Sequence, residues 1–125
     1  LLQVDMAVDQ QQTAAIVAPL QRILANDPHD TACRYQLAQA WQRLGESGKY
    51  KNEMARHDKS RQLKQELTEK NLQANRVPDD AEVRDRLAEL CEALGKHDLA
   101  RMWKQAATAC RRLPQPQGRP DPGPN

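Results

Sequence analysis

The sequence predicts an all-α protein, a right-handed solenoid of helical hairpins in which one helix is elongated. First, the stretch LAELCEALG, Leu87–Gly95, has a looser copy fifty residues earlier, LAQAWQRLG, Leu37–Gly45. Second, apolar residues in both copies recur at intervals of three and four, which places them on one helical face. Third, the 125 residues are only 38% hydrophobic, contain no Phe and have a mean hydropathy of −0.91. Such a composition favours a thin, extended core over a deep one.

The repeat extends beyond these nine residues. Residues 28–45 align with 78–95 with seven identities, at the pairs 28/78, 30/80, 34/84, 37/87, 38/88, 44/94 and 45/95. Each copy contains a Pro, then an Asp suited to cap the N–H groups of a helix start, then the apolar positions, then a Gly suited to end the helix. We therefore expect a turn, a helix and a turn in each copy.

The apolar positions define which face of each helix is buried. The first copy contributes Cys33, Leu37, Trp41 and Leu44, and the second contributes Val83, Leu87, Leu90, Cys91 and Leu94. After Gly95 the same spacing resumes at Leu99, Met102, Trp103, Ala106 and Cys110, and it ends at Leu113 before Pro114. The pattern predicts a helical hairpin from about 80 to 113.

This hairpin resembles a tetratricopeptide repeat. That family has a Leu and a small residue on its first helix, a Gly at the turn and two Ala seven apart on its second helix, and these places are taken here by Leu87, Ala88, Gly95, Ala100 and Ala107. In the first copy, Leu37, Ala38, Trp41 and Gly45 fit the same first-helix pattern. The resemblance implies a solenoid whose first helices form a peptide-binding groove.

The chain departs from the family at several places. Arg84 stands where the family has an early Trp, and Cys91, His97 and Lys104 replace other aromatics. The repeat period is 50 residues here, against about 34 in the standard repeat. The difference lies in a stretch of about 27 residues after Gly45 that contains no Pro, which predicts a helix of roughly 40 Å. Its apolar positions are sparse, namely Tyr50, Met54, Leu63, Leu67 and Ala74, and a break near Ser60 stays open.

The repeats divide the chain into segments. Residues 1–9 are a linker or the end of a preceding element, 10–113 are the helical repeats, and 114–125 are a Pro-rich tail with five Pro in twelve residues. The repeats comprise a half repeat at about 10–27, a repeat with a long second helix at 28–77, and a repeat at 78–113. In the half repeat, Pro19 is expected to kink or start the helix that carries Ile16, Leu20 and Ile23. Residues 1–9 alternate apolar and polar, which is a strand signal, and helix or extended linker stays open.

Charge excludes some classes of partner. Residues 49–76 are net +4, 77–95 are net −4 and 96–113 are net +4, while the whole chain is +2. Alternating blocks with only two Trp and two Tyr argue against a nucleic-acid surface, which is basic throughout and carries stacking aromatics. The longest apolar run, Ala14–Ala18, is far shorter than the roughly 18 residues of a membrane span.

The candidate binding residues are the first-helix positions that packing does not use. On the second hairpin, four carboxylates follow spacings of three, four and three, at Glu82, Asp85, Glu89 and Glu92. On the first hairpin, the candidate residues are Tyr35, Gln39 and Gln42. Because members of the family that clamp a terminal carboxylate use Lys and Asn at such places, the resemblance implies a basic or neutral protein or peptide partner. A solvated acidic face is the competing interpretation.

The sequence gives little support for a catalytic or metal-binding function. Each His precedes an Asp, at His29, His57 and His97, and some metal-dependent phosphohydrolases use such dyads. That site needs further ligands from neighbouring helices, so we expect no enzyme. Cys33, Cys91 and Cys110 lack CxxC or His-linked metal spacing, so we expect free buried thiols, no metal and no cofactor.

Three functional hypotheses follow. The first is a non-catalytic protein-interaction scaffold that binds a peptide or protein segment in the groove of its first helices. The second is a structural subunit that self-associates or packs into a larger assembly or filament, because two and a half repeats leave apolar edges uncovered. The third is the substrate-recruiting region of a larger enzyme. The chain begins at Leu1 rather than Met, which we interpret as trimming, so the sequence predicts no cellular location.

Overall fold

The structure is a computed structural model that describes the backbone of residues 2–113 and the side chains of residues 8–113. This part of the chain is all-helical, as predicted. The five helices are α1 (Leu2–Asn26), α2 (Thr31–Arg43), α3 (Ser47–Arg76), α4 (Ala81–Ala93) and α5 (His97–Arg112). The predicted Pro-rich tail at 114–125 lies outside the described residues.

The helices form two compact units whose boundary falls inside α3, after Gln62. The first unit contains α1, α2 and residues 47–62 of α3, and α1 packs against α2. The second contains residues 63–76 of α3, α4 and α5, and α4 packs against α5. Helix ends repeat at a shift of fifty: α1 ends at Asn26 and α3 at Arg76, while α2 begins at Thr31 and α4 at Ala81.

The predicted caps form at both copies. The backbone N–H of Cys33 donates to Asp30 Oδ1 at 2.9 Å, and that of Val83 donates to Asp80 Oδ1 at 3.1 Å. These side chains accept from N–H groups that have no partner inside the helix. The sequence therefore fixes where the middle helix of each unit begins.

The helix ends are also equivalent. Gly45 and Gly95 have φ of 77° and 79°, a left-handed conformation that Gly adopts without the steric cost of a Cβ. In the first turn, the N–H of Gly45 donates to the carbonyl of Gln42 and that of Glu46 donates to the carbonyl of Trp41. The bonds Gly95 to Glu92 and Lys96 to Cys91 repeat this Schellman arrangement.

Two apolar clusters occupy corresponding positions. The first consists of Leu20, Leu24, Cys33 and Leu37, with Val17 and Trp41 packed against them. The second consists of Ala74, Val83 and Leu87, with Leu67 and Trp103 packed against them. All five predicted apolar positions of α4 are buried. Of the four on α2, Cys33 and Leu37 are buried and Trp41 and Leu44 are half-buried.

Helix lengths differ from the prediction in two places. The α1 helix begins at Leu2 and has 25 residues, with Pro19 inside it. The alternation in residues 1–9 therefore does not correspond to a strand. The predicted boundary between the segments 1–9 and 10–113 falls within this helix. Pro19 removes one backbone donor but neither starts nor ends α1. The α3 helix is unbroken over 30 residues, so no break occurs at Ser60, and the described part of the chain contains two elongated helices rather than one.

Replacement of the turn glycines should destabilise the fold for a purely conformational reason. A Cβ at Gly45 or Gly95 would meet no atom within 4 Å, so Gly95→Ala is expected to lower the free energy of unfolding by about 1 kcal/mol through its positive φ alone.

Gly48, at the start of α3, is the matched control because its surroundings are equally open and its φ is not positive. Gly48→Ala should leave stability unchanged or raise it by up to about 1 kcal/mol. Urea denaturation followed by circular dichroism measures both variants. Equal effects of the two substitutions would contradict the assignment of the turn.

Candidate functional site

An open depression of about 790 Å³ lies between α4 and α5 in the second unit. Three of the predicted carboxylates line it, namely Asp85, Glu89 and Glu92. Alanines at 88, 93 and 100 contribute the small side chains, and Arg101 and Lys104 of α5 complete the lining. The predicted acidic stripe therefore borders a concave surface with a basic opposite wall.

Helical geometry explains why these carboxylates lie together. Once Asp80 fixes the start of α4, spacings of three and four residues place them on one face. Glu82 belongs to the same stripe and is exposed, but it is not among the residues that line the depression. The face opposite the apolar stripe of α4 thus provides one wall of the candidate site.

Each of the three lining carboxylates has an Arg or His side chain as its neighbour. Arg111 of α5 donates to Asp85, Arg86 Nη1 donates to Glu89 Oε1 at 3.0 Å, and His97 Nδ1 lies 2.8 Å from Glu92 Oε2. The Glu89 and Glu92 side chains are nevertheless 66% and 62% exposed. Solvent-exposed pairs contribute only about 0–1 kcal/mol each, so another cation can replace these partners at little cost.

Hydrogen bonding shifts the acidity of two carboxyls in this unit. The hydrogen bond from Arg111 holds the pKa of Asp85 below its ordinary value, and Asp85 raises the pKa of Arg111 in return. The hydrogen bond from Arg86 likewise lowers the pKa of Glu66 on α3. Both carboxylates therefore favour their charged form at neutral pH.

The basic wall was missed in the choice of site residues. Arg101 and Lys104 lie in the block of residues 96–113 whose net charge is +4, and that block was the available signal. Because α5 packs against α4, the basic block faces the acidic stripe across the depression. The combined site carries both signs of charge.

The three candidate residues of the first unit lie on α2. Tyr35 is 43% exposed, with its ring 5.6 Å from that of His57 between centroids. Gln39 is half-buried and Gln42 is exposed. Trp41 of α2 has Lys49 of α3 beside it, with Lys49 Nζ 4.4 Å from the ring centroid. The three candidate residues of α2 are therefore uncharged, and one of them is aromatic.

The His-Asp dyads do not converge on one site. His29 Nδ1 lies 2.7 Å from Ser60 Oγ, His57 Nδ1 lies 3.2 Å from Asp58 Oδ1, and His97 pairs with Glu92. In the described part of the chain, no group of three or more His, Cys, Asp or Glu side chains is arranged to hold a metal ion.

Cys33, Cys91 and Cys110 are buried, as predicted. Burial raises the pKa of the Cys33 and Cys91 thiols, which disfavours the reactive thiolate. Over the described residues, no helix combines the length and the apolarity needed to cross a bilayer.

The Asp85 pair should make stability sensitive to acid. The pKa of Asp85 is lower in the folded state than in the unfolded state. The ion pair therefore contributes its full stabilisation at pH values above the unfolded-state pKa of about 3.9, and this stabilisation is lost as the pH falls through the lower folded-state pKa. Asp85→Asn is expected to cost about 0.5 kcal/mol at neutral pH, a value that allows for solvent screening of a side chain that is 37% exposed.

The difference from wild type should vanish at the acid end of a pH series of urea denaturations. Glu69→Gln is the control, since Glu69 is an exposed carboxylate on the α3 part of the same unit and is not among the groups that shift the pKa of Asp85 or Arg111. A pH-independent cost of Asp85→Asn would contradict the assignment of the pair.

Comparison of the chain with protein-family models, with curated proteins and with solved structures finds no significant match in any of the three.

Proposed function

We propose that this chain is a non-catalytic protein-interaction module, a scaffold similar to tetratricopeptide repeats, that binds a segment of a protein partner in the depression between α4 and α5. The observation that carries the proposal is the lining itself, where Asp85, Glu89 and Glu92 face small alanines and a basic wall. A concave surface with few large side chains admits an extended or helical peptide, and convergent charges select its sequence.

The charges favour a basic or neutral segment over an acidic one. Glu89 and Glu92 are the most exposed carboxylates of the lining, so a Lys or Arg of the partner would reach them from solvent and take the place of Arg86 or His97 beside them. Arg101 and Lys104 on the α5 wall disfavour an unbroken basic run by like-charge repulsion. The preferred ligand therefore carries a basic residue toward α4 and neutral or acidic residues toward α5.

The test uses two fluorescently labelled peptides of about ten residues. In the first, Lys alternates with Ala; the second has Glu at every Lys position. Fluorescence anisotropy at low ionic strength should show stronger binding of the Lys peptide. Glu89→Lys and Glu92→Lys should each weaken it by about two- to fivefold, since exposed charge pairs contribute up to about 1 kcal/mol. Added salt should weaken wild-type binding through screening.

Glu69→Lys provides the matched control. Glu69 is exposed on the α3 part of the same unit and does not line the depression, so this variant changes net charge equally without altering the site. Preference for the Glu peptide, or an equal loss in the Glu69 variant, would refute the proposal.

A further inference from the structure

A cavity of about 370 Å³ lies in the first unit, and most of the side chains that line it carry positive charge or can donate hydrogen bonds. These side chains are His29, Arg34, Arg56, Lys59 and Ser60, and Pro28 and Ala55 complete the lining. They come from the turn after α1, from α2 and from α3. Among the described residues no carboxylate lines this cavity, in contrast to the depression between α4 and α5.

Arg34 is the buried cation of the lining. Its side chain is only 8% exposed, and Nη1 donates to Glu53 Oε1 at 2.6 Å while Nη2 donates to the carbonyl of Pro28 at 2.8 Å. Arg34 Nε is buried and has no hydrogen-bond partner within the described residues. A buried donor without an acceptor is rare in proteins and costs free energy. The chain therefore satisfies this guanidinium only in part, at the wall of a cavity.

Acidic side chains near the cavity leave it positively charged. Glu53 pairs with Arg34 and lines a neighbouring cavity of about 310 Å³. Asp58, the acid that precedes Lys59 in the chain, lies against a His side chain instead. Arg56 and Lys59 are exposed, and neither forms a salt bridge within the described residues. The three cations of the lining and the carboxylate of Glu53 together have a net charge of +2.

The repeat shows that the exposed cations of this cavity are not needed for packing. Fifty residues later, Ala106 and Ala109 of α5 take the places of Arg56 and Lys59. The buried Arg does recur, as Arg84, whose guanidinium donates to three backbone carbonyls. An Arg at this place therefore belongs to the repeat, whereas the two exposed cations are particular to the first unit and indicate a role other than packing.

We propose that this cavity binds a phosphoryl group, either as inorganic phosphate or as the phosphomonoester of a larger ligand. A phosphomonoester carries a charge of about −1.5 to −2 at neutral pH and has three strong acceptor oxygens, which match the net charge and the donors on three segments. A carboxylate has one charge and two oxygens, so it is the weaker ligand. Arg side chains are well suited to phosphate because their donors form a planar fork.

The site is independent of the proposed peptide binding. Every residue that lines it belongs to the first unit, whereas the depression between α4 and α5 belongs to the second. Loss of phosphate binding therefore leaves the proposed function standing, and failure of the peptide test leaves this site standing.

The test is a titration of the isotope-labelled chain with sodium phosphate at neutral pH, followed by the amide chemical shifts in NMR spectra. Sodium acetate at the same ionic strength is the reference. Phosphate should produce saturable shifts around residues 28–34 and 55–60, with a dissociation constant on the order of 1 mM. Acetate should bind at least tenfold more weakly.

The double variant Arg56→Ala with Lys59→Ala introduces the residues found at the equivalent positions 106 and 109. It should weaken phosphate binding about tenfold, because each exposed charge pair contributes up to about a fivefold effect. Lys51→Ala with Arg61→Ala is the matched control, since both residues are exposed on α3 in the same unit and line neither this cavity nor its neighbour. Circular dichroism verifies that both variants fold.

A short peptide with one phosphoserine among alanines identifies the source of the phosphoryl group. Tighter binding of this peptide than of inorganic phosphate indicates a phosphorylated larger ligand, and equal binding indicates free phosphate; both results support the site. Absence of saturable phosphate shifts overturns the proposal. Equal binding of acetate, or equal loss in the two double variants, overturns it as well.

Discussion

Each unit depends on the packing of one leucine of its middle helix against the helix that precedes it. Leu37 on α2 and Leu87 on α4 are 1% and 0% exposed, and their neighbours Leu24 and Ala74 also correspond at a shift of fifty. With no Phe in the chain, these leucines are among the largest fully buried side chains. The caps and the turn glycines serve this contact by fixing where the middle helix begins and ends.

The features that sequence predicted are those controlled by neighbouring residues. Asp30 and Asp80 each cap a helix by accepting from a backbone N–H group three residues further along the chain. Gly45 and Gly95 adopt a backbone conformation that local sterics disfavour for other residues. The buried face of α4 was predicted from the three- and four-residue spacing of its apolar residues alone. Signals at residues 1–9 and Pro19 failed because the alternation there is short and one lost backbone hydrogen bond does not end a long helix.

The candidate site, by contrast, depends on residues that are far apart in the chain. The carboxylate stripe on α4 could be predicted because it lies on one helix, whereas Arg101, Lys104 and Arg111 come from α5. Arg111 lies twenty-six residues from Asp85 in the chain, and the basic wall depends on how α5 packs against α4. Sequence spacing contains no information on that packing, so the mixed charge of the depression became visible only in the structure.

The α3 helix belongs to both units, and this shared membership determines how the protein folds. Its residues 47–62 pack in the first unit and 63–76 in the second, while the two apolar clusters have no residue in common. Initiation of a helix is unfavourable, but each later residue adds a hydrogen bond to an existing turn. Residues of α3 that order with one unit therefore provide an existing helical turn to which the remaining residues of α3 can add.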